Sequence, residues 1–572
     1  MTERIGRLTS AIRRHPVAAG AVLCALLSGF FVYYPLTNTD IWWHLASARE
    51  MIARKAFLRT DPFTFTPSLP WIDLHWGFQL AAYAIHRLGG PGLLVWVKVA
   101  MCAAACAVIV ATGPGRRFPV STGVLLAFCM FHVRFLVLAR PVVVTMLLMA
   151  AFIGVLERYA QRRRLGVLAL LLPLQVVWVN TQGLFALGLV IGAAYAIGAT
   201  VEHLLPLPSW RDDERRRPAL THVGHLWGLF AALCAVSLLN PYGVRGLLFP
   251  FRLLGRIEPD LANVFSLNVS ENLPLLELVG SEPLLVVLVV ATALALIAVL
   301  MYDMRRIRPA HLVIFVGFLY LAFSAKRNIL LYLFVAAPLL GGYAGPAVAD
   351  VVRRARGRTR RGLVVGLAVL GIVVSGSNVY RHLRGLWTAP RTSMLSPFRY
   401  PVEASDYLRR HPVEGRLFNS VRYGGYILWE HYPPTQVFID GRLIIRTPRF
   451  YADYLAVLDN PSRFHRVARA YDITHVLIPT AIFDRYLKLA RELYDHPDWA
   501  LAYTDGTSAL FVERGRLETP PIDLSSPADI AAITGELRGR WHADRAILRE
   551  ALRYVEHTRE ALSGERTVTG VR

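Results

Sequence analysis

Charged residues are scarce in this sequence: they make up 18% of it, whereas hydrophobic residues make up 54% and the mean hydropathy is +0.40. A soluble domain of this length carries more charge, so the composition excludes an ordinary globular enzyme. The apolar residues are gathered into separate runs that are long enough to cross a hydrocarbon core, which takes roughly 17–25 residues as helix. The sequence therefore predicts a multi-pass α-helical membrane protein.

Cysteine is also scarce, with only five residues, and all five lie inside apolar runs: Cys24, Cys102, Cys106, Cys129 and Cys234. We therefore expect neither a disulfide framework nor a zinc site. No small-residue cleavage site follows the first apolar run, from about Pro16 to Tyr34. Although arginines precede this run as in a signal peptide, we expect it to be an uncleaved first span.

Lysine is nearly absent, so the net charge of +23 comes almost entirely from arginine. These arginines cluster in short linkers between apolar runs, which is the pattern of cytoplasmic loops and not of a nucleic-acid surface. We therefore expect membrane lipids and no nucleic acid as partners. Abundant arginine, alanine, leucine, glycine and valine are typical of a GC-rich bacterial genome, which indicates a bacterial inner membrane protein.

The basic linkers also indicate the topology, because each is separated from the next by an even number of apolar runs. Placing them all in the cytoplasm gives about eleven spans, with the N-terminus inside and the C-terminus outside. A short helix at 75–88 is expected to lie at the interface, because Gly89-Gly90-Pro91-Gly92 breaks it from the next run. The predicted spans are 16–35, 91–112, 119–133, 141–157, 165–179, 183–203, 222–239, 283–302, 309–324, 329–347 and 362–378.

This topology divides the chain into a membrane domain at 1–380, whose first external loop is 36–90, an extracytoplasmic α/β domain at 395–515 and a polar helical tail at 525–572. In the α/β domain, short strands alternate with amphipathic helices. The predicted strands are Gln436–Ile439, Thr474–Ile478, Ala500–Thr504 and Ala509–Val512, and the predicted helices are Pro448–Leu458, Arg463–Tyr471 and Ile482–Tyr494.

Asp40 comes a few residues after the first span, at a position where an ionisable group is costly unless it has a use. It begins an amphipathic helix in which His44 follows one turn later, so the two side chains could share a proton or a divalent ion such as Mg or Mn. Asp61 and His75, in the same loop, are further candidates for a catalytic role. The alternative is that Asp40 is the polar N-cap of an interfacial helix anchored by Trp42 and Trp43.

Several polar residues that interrupt the spans fall on the outer side in this topology. Arginine forms bidentate contacts with phosphate, so the cations among them are candidates for holding a lipid phosphate; snorkelling toward headgroups is the alternative. Asp440 and Arg442 in the C-terminal domain could contact a substrate or could form a local ion pair at a turn. The candidate binding residues are Arg134, Arg140, Asn180, Gln182, Lys326, Arg327, Asp440 and Arg442.

With these motifs in order, the chain resembles the GT-C superfamily of integral-membrane glycosyltransferases, and more closely a bacterial branch that uses polyprenyl-phosphate sugars. Ile41 stands where many relatives have a second acid, and Gln182 stands where histidine is expected. The motifs that carry the resemblance are Asp40-Ile41-Trp42-Trp43-His44, Trp178-Val179-Asn180-Thr181-Gln182-Gly183, Asn240-Pro241-Tyr242-Gly243, Gly424-Gly425-Tyr426 and Asp440-Gly441-Arg442.

The resemblance implies that Asp40 is a general base, or a carboxylate associated with a metal, in transfer from a polyprenyl-phosphate sugar. The expected reaction is inverting, with the outer cations stabilising the departing lipid phosphate. Two other classes of function stay open. The chain could be a transporter or flippase for a lipid-linked saccharide, or a non-catalytic membrane subunit of a polysaccharide assembly complex.

Overall fold

The computed structural model describes residues 14–205, 218–257, 263–302, 307–354, 378–385, 394–481 and 484–564, together with Gly362, Gly366 and Gly376. The chain divides into two compact units. The first, here called the helical unit, comprises Met1–Tyr34, Leu74–Phe78 and Leu93–Leu386. The second, here called the mixed unit, comprises Pro35–Asp73, Gln79–Gly92 and Trp387–Arg572. Most of the first loop thus belongs with the C-terminal region.

The helical unit is built from apolar helices, five of which are long and apolar enough to cross a membrane and five of which are shorter. Pro283–Tyr302 illustrates why they suit a bilayer, since Val287 and Leu294 on its open side are 60% exposed and as apolar as its buried side. The other principal helices of this unit are Pro16–Val32, Pro119–His132, Val142–Arg162, Leu171–Val179, Ala186–Leu204, Leu220–Val236, Pro309–Ser324 and Ile329–Arg354, with short ones at Val244–Leu247, Phe249–Ile257 and Val264–Asn268.

Each of the first ten predicted spans coincides with one of these apolar helices or with the second half of Trp76–Thr112. Trp76–Thr112 is interrupted where the sequence predicts it, at Gly89 and Gly90 just before Pro91. Gly90 has a φ of 62°, which a residue with a side chain rarely adopts. The predicted span at 362–378 lies almost wholly outside the described residues, so the number of spans and their orientation stay predictions.

The mixed unit contains a four-stranded sheet with the order β1-β2-β4-β3, in which β1 is parallel to β2 and the remaining pairs are antiparallel. The strands are β1 (Arg416–Asn419), β2 (Ile473–Pro479), β3 (Trp499–Thr504) and β4 (Ser508–Glu513). Its helices are Asp40–Arg54, Val402–Arg410, Val421–His431, Pro448–Asp459, Phe464–Tyr471, Leu487–Asp495, Pro527–Arg540 and Arg545–Ser563. The last two lie in the segment that was predicted to be the tail.

Three of the four predicted strands are confirmed, as β2, β3 and β4, and the predicted small α/β domain is present. The predicted strand Gln436–Ile439 is wrong, because it forms only isolated bridges through Val437. The Asn419 side chain takes the place of a neighbouring strand there: it accepts a hydrogen bond from the Phe438 nitrogen at 2.9 Å and donates to the Ile439 oxygen at 2.7 Å. The sequence analysis missed β1, whose four residues are too short to show an alternating pattern.

Candidate active site

Asp40 is the first residue of the Asp40–Arg54 helix, with Thr39 at the N-cap position. Its backbone nitrogen donates to the Asn38 side chain at 3.0 Å. The negative carboxylate lies at the end of the helix where the helix dipole favours it. The predicted apolar face is real, since the Leu45 side chain is fully buried, although Ile52 near the C-terminal end is 52% exposed.

Two glycine motifs from the C-terminal region pack against this first turn. A Cβ atom on Gly425 would stand 2.9 Å from the Thr39 oxygen and 3.4 Å from the Trp43 nitrogen, so glycine permits this close approach of two helices. A Cβ atom on Gly441 would overlap Oδ1 of Asp40. The Gly424-Gly425-Tyr426 and Asp440-Gly441-Arg442 motifs are therefore next to Asp40, although they lie far from it in the sequence.

Behind Gly441, Arg442 is almost fully buried between two carboxylates. Its guanidinium donates to Asp440 at 2.9 and 2.5 Å and lies 2.8 Å from Asp61. The rings of Phe63 and Trp71 lie 4.9 and 4.7 Å from the guanidinium carbon, as in cation–π contacts. All three charged side chains are about 1% exposed, so the group forms a closed ionic cluster that joins the first loop to the C-terminal region.

The charges of this cluster stabilise one another against the cost of burial. Burial alone would lower the pKa of Arg442, but Asp440 and Asp61 outweigh it and hold this pKa above its ordinary value. Burial alone would likewise raise the pKa of Asp440, but Arg442 holds it below its usual range. Both groups therefore stay ionised at neutral pH.

The sequence analysis missed a second buried arginine of this cluster, Arg446. Its guanidinium donates to Thr64 Oγ1 at 2.6 Å and to the Pro67 oxygen at 2.7 Å, and it lies 3.4 Å from Asp61. Its position four residues after Arg442 is the only signal in the sequence. An arginine in a polar segment gives no sign of burial by itself, so this contact could not be inferred.

The other predicted residues of the first loop lie differently. His44 is 3% exposed, and its ring stacks on that of Trp43 with 3.6 Å between centroids. Trp42 and Trp43 are buried inside the mixed unit, at 3% and 8% exposure, and are not anchors on an open surface. His75 belongs to the helical unit, where its Nε2 lies 2.8 Å from Oε1 of Gln182.

Asn180 joins three segments of the helical unit. Its side chain accepts a hydrogen bond from the Trp76 indole at 2.9 Å and donates to the Val176 and Leu239 oxygens at 2.8 Å each. Through these contacts and the His75–Gln182 contact, Asn180 and Gln182 connect the start of the Trp76–Thr112 helix to the segment between the Leu171–Val179 and Ala186–Leu204 helices.

Two of the predicted phosphate-binding cations have carboxylate partners within the helical unit. Arg140 donates to Glu271 at 2.6 and 2.5 Å, and Lys326 pairs with Glu282. Arg134 donates to the Phe131 oxygen at 2.6 Å and lies over the Phe131 ring. Arg327 differs from these cations: its backbone nitrogen donates to the Glu271 oxygen at 3.0 Å, but its guanidinium forms no ion pair with a carboxylate of the described residues.

Within the described part of the chain, no three His, Cys, Asp or Glu side chains converge into a set that could hold a metal ion by themselves. Mg commonly binds through one or two carboxylates and completes its coordination with water and substrate oxygens. A divalent ion at Asp40 and His44 therefore stays a prediction.

No protein-family model matches the sequence, and no curated protein matches it significantly. Solved structures do match. The archaeal oligosaccharyltransferase AglB from Archaeoglobus fulgidus, in complex with an inhibitory peptide and a dolichol-phosphate, aligns with a TM-score of 0.57 at 12% identity, over 89% of this chain and 75% of that one. The chain has the GT-C fold.

A second structure of the Archaeoglobus fulgidus oligosaccharyltransferase, with Zn and sulfate, aligns at a TM-score of 0.51 and 13% identity, over 82% of this chain and 69% of that one. ArnT from Cupriavidus metallidurans aligns over 87% of this chain and 98% of that one at 14% identity, but its TM-score of 0.43 supports no conclusion. At these identities the likeness establishes the GT-C fold, and the reaction has to be inferred from the residues of the site.

Proposed function

We propose that this chain is a membrane glycosyltransferase that moves a sugar from a polyprenyl-phosphate donor to an extracytoplasmic acceptor, which is a lipid, a glycan or a protein. One observation carries the proposal. In a chain with the GT-C fold, the carboxylate of Asp40 packs against Gly441, and the two neighbours of Gly441 form a buried ion pair, Asp440–Arg442, in which Arg442 also pairs with Asp61. A carboxylate held in this way suits a base that must meet its substrate in one orientation.

In the proposed reaction, a hydroxyl of the acceptor attacks the anomeric carbon of the donor sugar and inverts it. The new carbon–oxygen bond forms as the bond to the donor phosphate oxygen breaks, and the polyprenyl phosphate leaves with the electron pair. Asp40 accepts the hydroxyl proton, which is the role of a general base. Asp61, Asp440 and Arg442 are positioning residues in this scheme, because they hold Gly441 against the Asp40 carboxylate.

Arg327 is the cation that we assign to the donor phosphate, because its guanidinium forms no ion pair with any described carboxylate; Glu271, which acts on it electrostatically, is already paired with Arg140. Arg140 and Lys326 would have to give up Glu271 and Glu282 to bind a phosphate, so we assign them to holding the segments around Arg327. Asn180, Gln182 and His75 fix the neighbouring helix ends, and Arg134 and His44 shape the surrounding packing. We propose each of these roles from the contacts that the side chain makes.

For the cell we propose the topology inferred from charge, with eleven spans, the N-terminus in the cytoplasm and the mixed unit outside a bacterial inner membrane. The donor then reaches the site laterally from the bilayer. The acceptor approaches from the outer side, where the mixed unit supplies Asp40.

The decisive experiment compares wild type with Asp40→Asn in reconstituted vesicles, using a polyprenyl-phosphate sugar as donor. Because proton removal by a positioned base contributes about 10²–10⁴-fold, transfer should fall by that factor while donor binding persists. Asp529→Asn is the matched control, since Asp529 is also a first-turn acid of a helix in the mixed unit. Arg327→Ala should weaken donor binding about tenfold or more, whereas Ala at the exposed Arg245 should not.

The result also separates the alternatives. A transporter or flippase would move the lipid-linked saccharide across vesicles with Asp40→Asn as well as with wild type. A non-catalytic subunit would show neither transfer nor translocation by itself. Full transfer activity in Asp40→Asn would refute the general-base role.

A further inference from the structure

The mixed unit contains a cavity of about 140 Å³ that none of the predicted site residues lines. It lies between the segment that begins at Leu395 and the Pro527–Arg540 helix of the tail, and it is open to solvent on one side. Its walls are aromatic: Phe398, Tyr400 and Trp541 all line it. A closed cavity of about 150 Å³ accepts a benzene molecule, so this open one has room for a six-membered ring whose substituents extend through the side that is open to solvent.

The backbone holds one of these aromatic walls in an unfavourable conformation. Phe398 has a φ of 63°, a left-handed value that costs a residue with a side chain on the order of 1 kcal/mol or more. The Phe398 ring lies 6.3 Å from that of Trp541 and 5.2 Å from that of Tyr554. Strain of this kind persists where the surroundings fix a residue, and it is concentrated at ligand sites.

The polar wall carries both hydrogen-bond donors and acceptors. Glu403 and Arg540 face each other at 3.3 Å, and Asp505, in the β3–β4 turn, lines the same cavity. Asp505 is held in place by hydrogen bonds from the Thr507 and Ser508 backbone nitrogens at 2.8 Å each. Two carboxylates outnumber the one guanidinium, so this wall disfavours an anionic ligand, whereas hydroxyl groups can donate to the carboxylates and accept from the arginine.

The cavity is also connected to the turn that carries Asp40. The Tyr400 hydroxyl donates to the Asn38 oxygen at 3.2 Å, and the Asn38 side chain accepts from the Asp40 nitrogen at 3.0 Å. On the same side, Leu36 pairs with the cavity-lining strand segment at Leu395 through backbone hydrogen bonds of 2.8 Å on each side. A ring bound in the cavity would therefore contact elements that are hydrogen-bonded to the proposed catalytic turn.

We propose that this cavity is a binding site for one pyranose ring of a saccharide, with its apolar face against Trp541 and Phe398 and its hydroxyls on Glu403, Asp505 and Arg540. The assignment of that ring to the acceptor rests on the proposed transferase function; the binding of a saccharide does not. The cavity lies in the mixed unit, and its lining includes none of the cations assigned to the donor phosphate. In the proposed reaction, this cavity would bind a sugar ring of the acceptor.

The test uses the full-length protein in nanodiscs and saturation-transfer NMR with methyl glycosides of glucose, mannose, galactose and N-acetylglucosamine. At least one glycoside should bind, and Trp541→Ala or Arg540→Ala should weaken it about tenfold, as expected for loss of an aromatic wall or a charged hydrogen bond. Arg538→Ala is the matched control, because Arg538 lies on the same helix but does not line the cavity. Arg540→Ala also guards against a folding defect of the Trp541 variant.

Three outcomes would overturn the proposal: no glycoside binds wild type, both lining variants bind as wild type does, or protonated cyclohexylamine or cyclohexanol binds better than every glycoside. Asp40→Asn distinguishes this proposal from the proposed function, since it should abolish transfer and leave glycoside binding intact. If glycosides bind but no transfer is found, the transferase proposal fails and the saccharide site stands. If transfer occurs with no glycoside binding, the saccharide site alone fails.

Discussion

Gly441 is the residue on which the position of the Asp40 carboxylate depends most directly. A Cβ atom there would overlap Asp40 Oδ1, and it would also come within 3.4 Å of the Trp43 indole nitrogen. The backbone of Gly441 is held by Asp440 and Arg442 on either side, so it cannot easily move away. Adding one methyl group therefore has to displace the carboxylate.

We predict that Gly441→Ala lowers the transfer rate by about 10–100-fold, because a displacement on the order of 1 Å at a reacting group costs about that much. Donor binding and the unfolding midpoint should change little. The measurement is transfer by vesicles containing each variant. Gly515→Ala provides the control, since a Cβ at Gly515 meets no atom within 4 Å and activity should stay at the wild-type level. Equal activity in both variants would mean that Asp40 is not held by this contact.

Some of these residue-scale features could be predicted from the sequence. The prediction that Asp40 has a functional role came from its position at the start of a helix next to an apolar span. The ion pair between Asp61 and Arg442 could not be predicted. An aspartate before a proline is typical of a turn, and the two residues are far apart in the chain. Pairing between distant residues depends on the tertiary fold, which one sequence does not reveal.

The ion pairs around Arg442 connect two elements of the mixed unit, the loop that contains Asp61 and the segment that follows Val437. Removing one partner of a buried ion pair leaves a charge without compensation in a medium of low dielectric constant. We predict that Asp61→Asn lowers the free energy of unfolding by about 2–3 kcal/mol. The loss is limited to this amount because Arg442 still pairs with Asp440 in the variant. Chemical denaturation of the purified protein measures this loss.

The control for this prediction is Asp406→Asn. Asp406 pairs with Arg409, but both side chains are about half exposed, at 53% and 52%. Solvent screens such a pair, so the expected loss is below about 1 kcal/mol. A similar loss in the two variants would argue that the buried cluster contributes no more than a surface pair.

Glu403, on the Val402–Arg410 helix, makes stability depend on pH. Burial and the nearby Asp505 raise its pKa to about 7, Asp406 adds to this rise and Arg540 opposes it. Since this carboxyl binds its proton more tightly in the folded state, its contribution to stability is complete below the ordinary pKa of 4.5 and is lost as the pH rises to about 7. We predict a loss of up to about 3 kcal/mol over that window.

Glu403→Gln should remove this slope between pH 4.5 and pH 7, as followed by thermal unfolding at a series of pH values. Glu518→Gln, at an exposed position of the same unit, should retain the slope. An unchanged slope in Glu403→Gln would show that other groups set the pH dependence.

Among the elements, those with a clear period were predictable and the others were not. The buried strand β2 and the amphipathic helix Pro448–Asp459 are visible as patterns in the sequence. Gln436–Ile439 has the composition of a strand, but the Asn419 side chain, and not a neighbouring strand, binds the Phe438 nitrogen and the Ile439 oxygen. Such a substitution for a neighbouring strand leaves no periodic trace, and for this reason the strand prediction failed there.

At the scale of the whole molecule, the first loop and the C-terminal region form one compact unit. Asp40, Asp61, Asp440 and Arg442 therefore belong to the same unit, whereas His75, Arg134, Arg140, Lys326 and Arg327 belong to the helical unit. Hydropathy predicted the membrane helices because lipid imposes a strong constraint on length and composition. It carried no information on which polar segments fold together.

The remaining whole-molecule prediction concerns the side of the membrane on which the Trp76–Leu88 helix lies. If this helix is interfacial, every basic linker stays in the cytoplasm; if it crosses, the parity of all later spans is reversed. The break at Gly89 and Gly90 favours an interfacial helix, because the backbone leaves the helical conformation at these two residues just before the apolar segment begins. We therefore predict that Leu88 is on the extracytoplasmic side.

Leu88→Cys tests this prediction, because Leu88 is 82% exposed and a cysteine there should react freely. A membrane-impermeant maleimide should label it in intact cells, and should label Arg162→Cys, in a basic linker, only after the cells are opened. Four of the five native cysteines are buried and the fifth is partly so, so the wild-type protein supplies the background. Protection of Leu88→Cys until the cells are opened would place it in the cytoplasm. Since an additional span reverses the side of every later loop, the basic linkers would then lie outside. The distribution of arginines would therefore not determine the orientation of this chain.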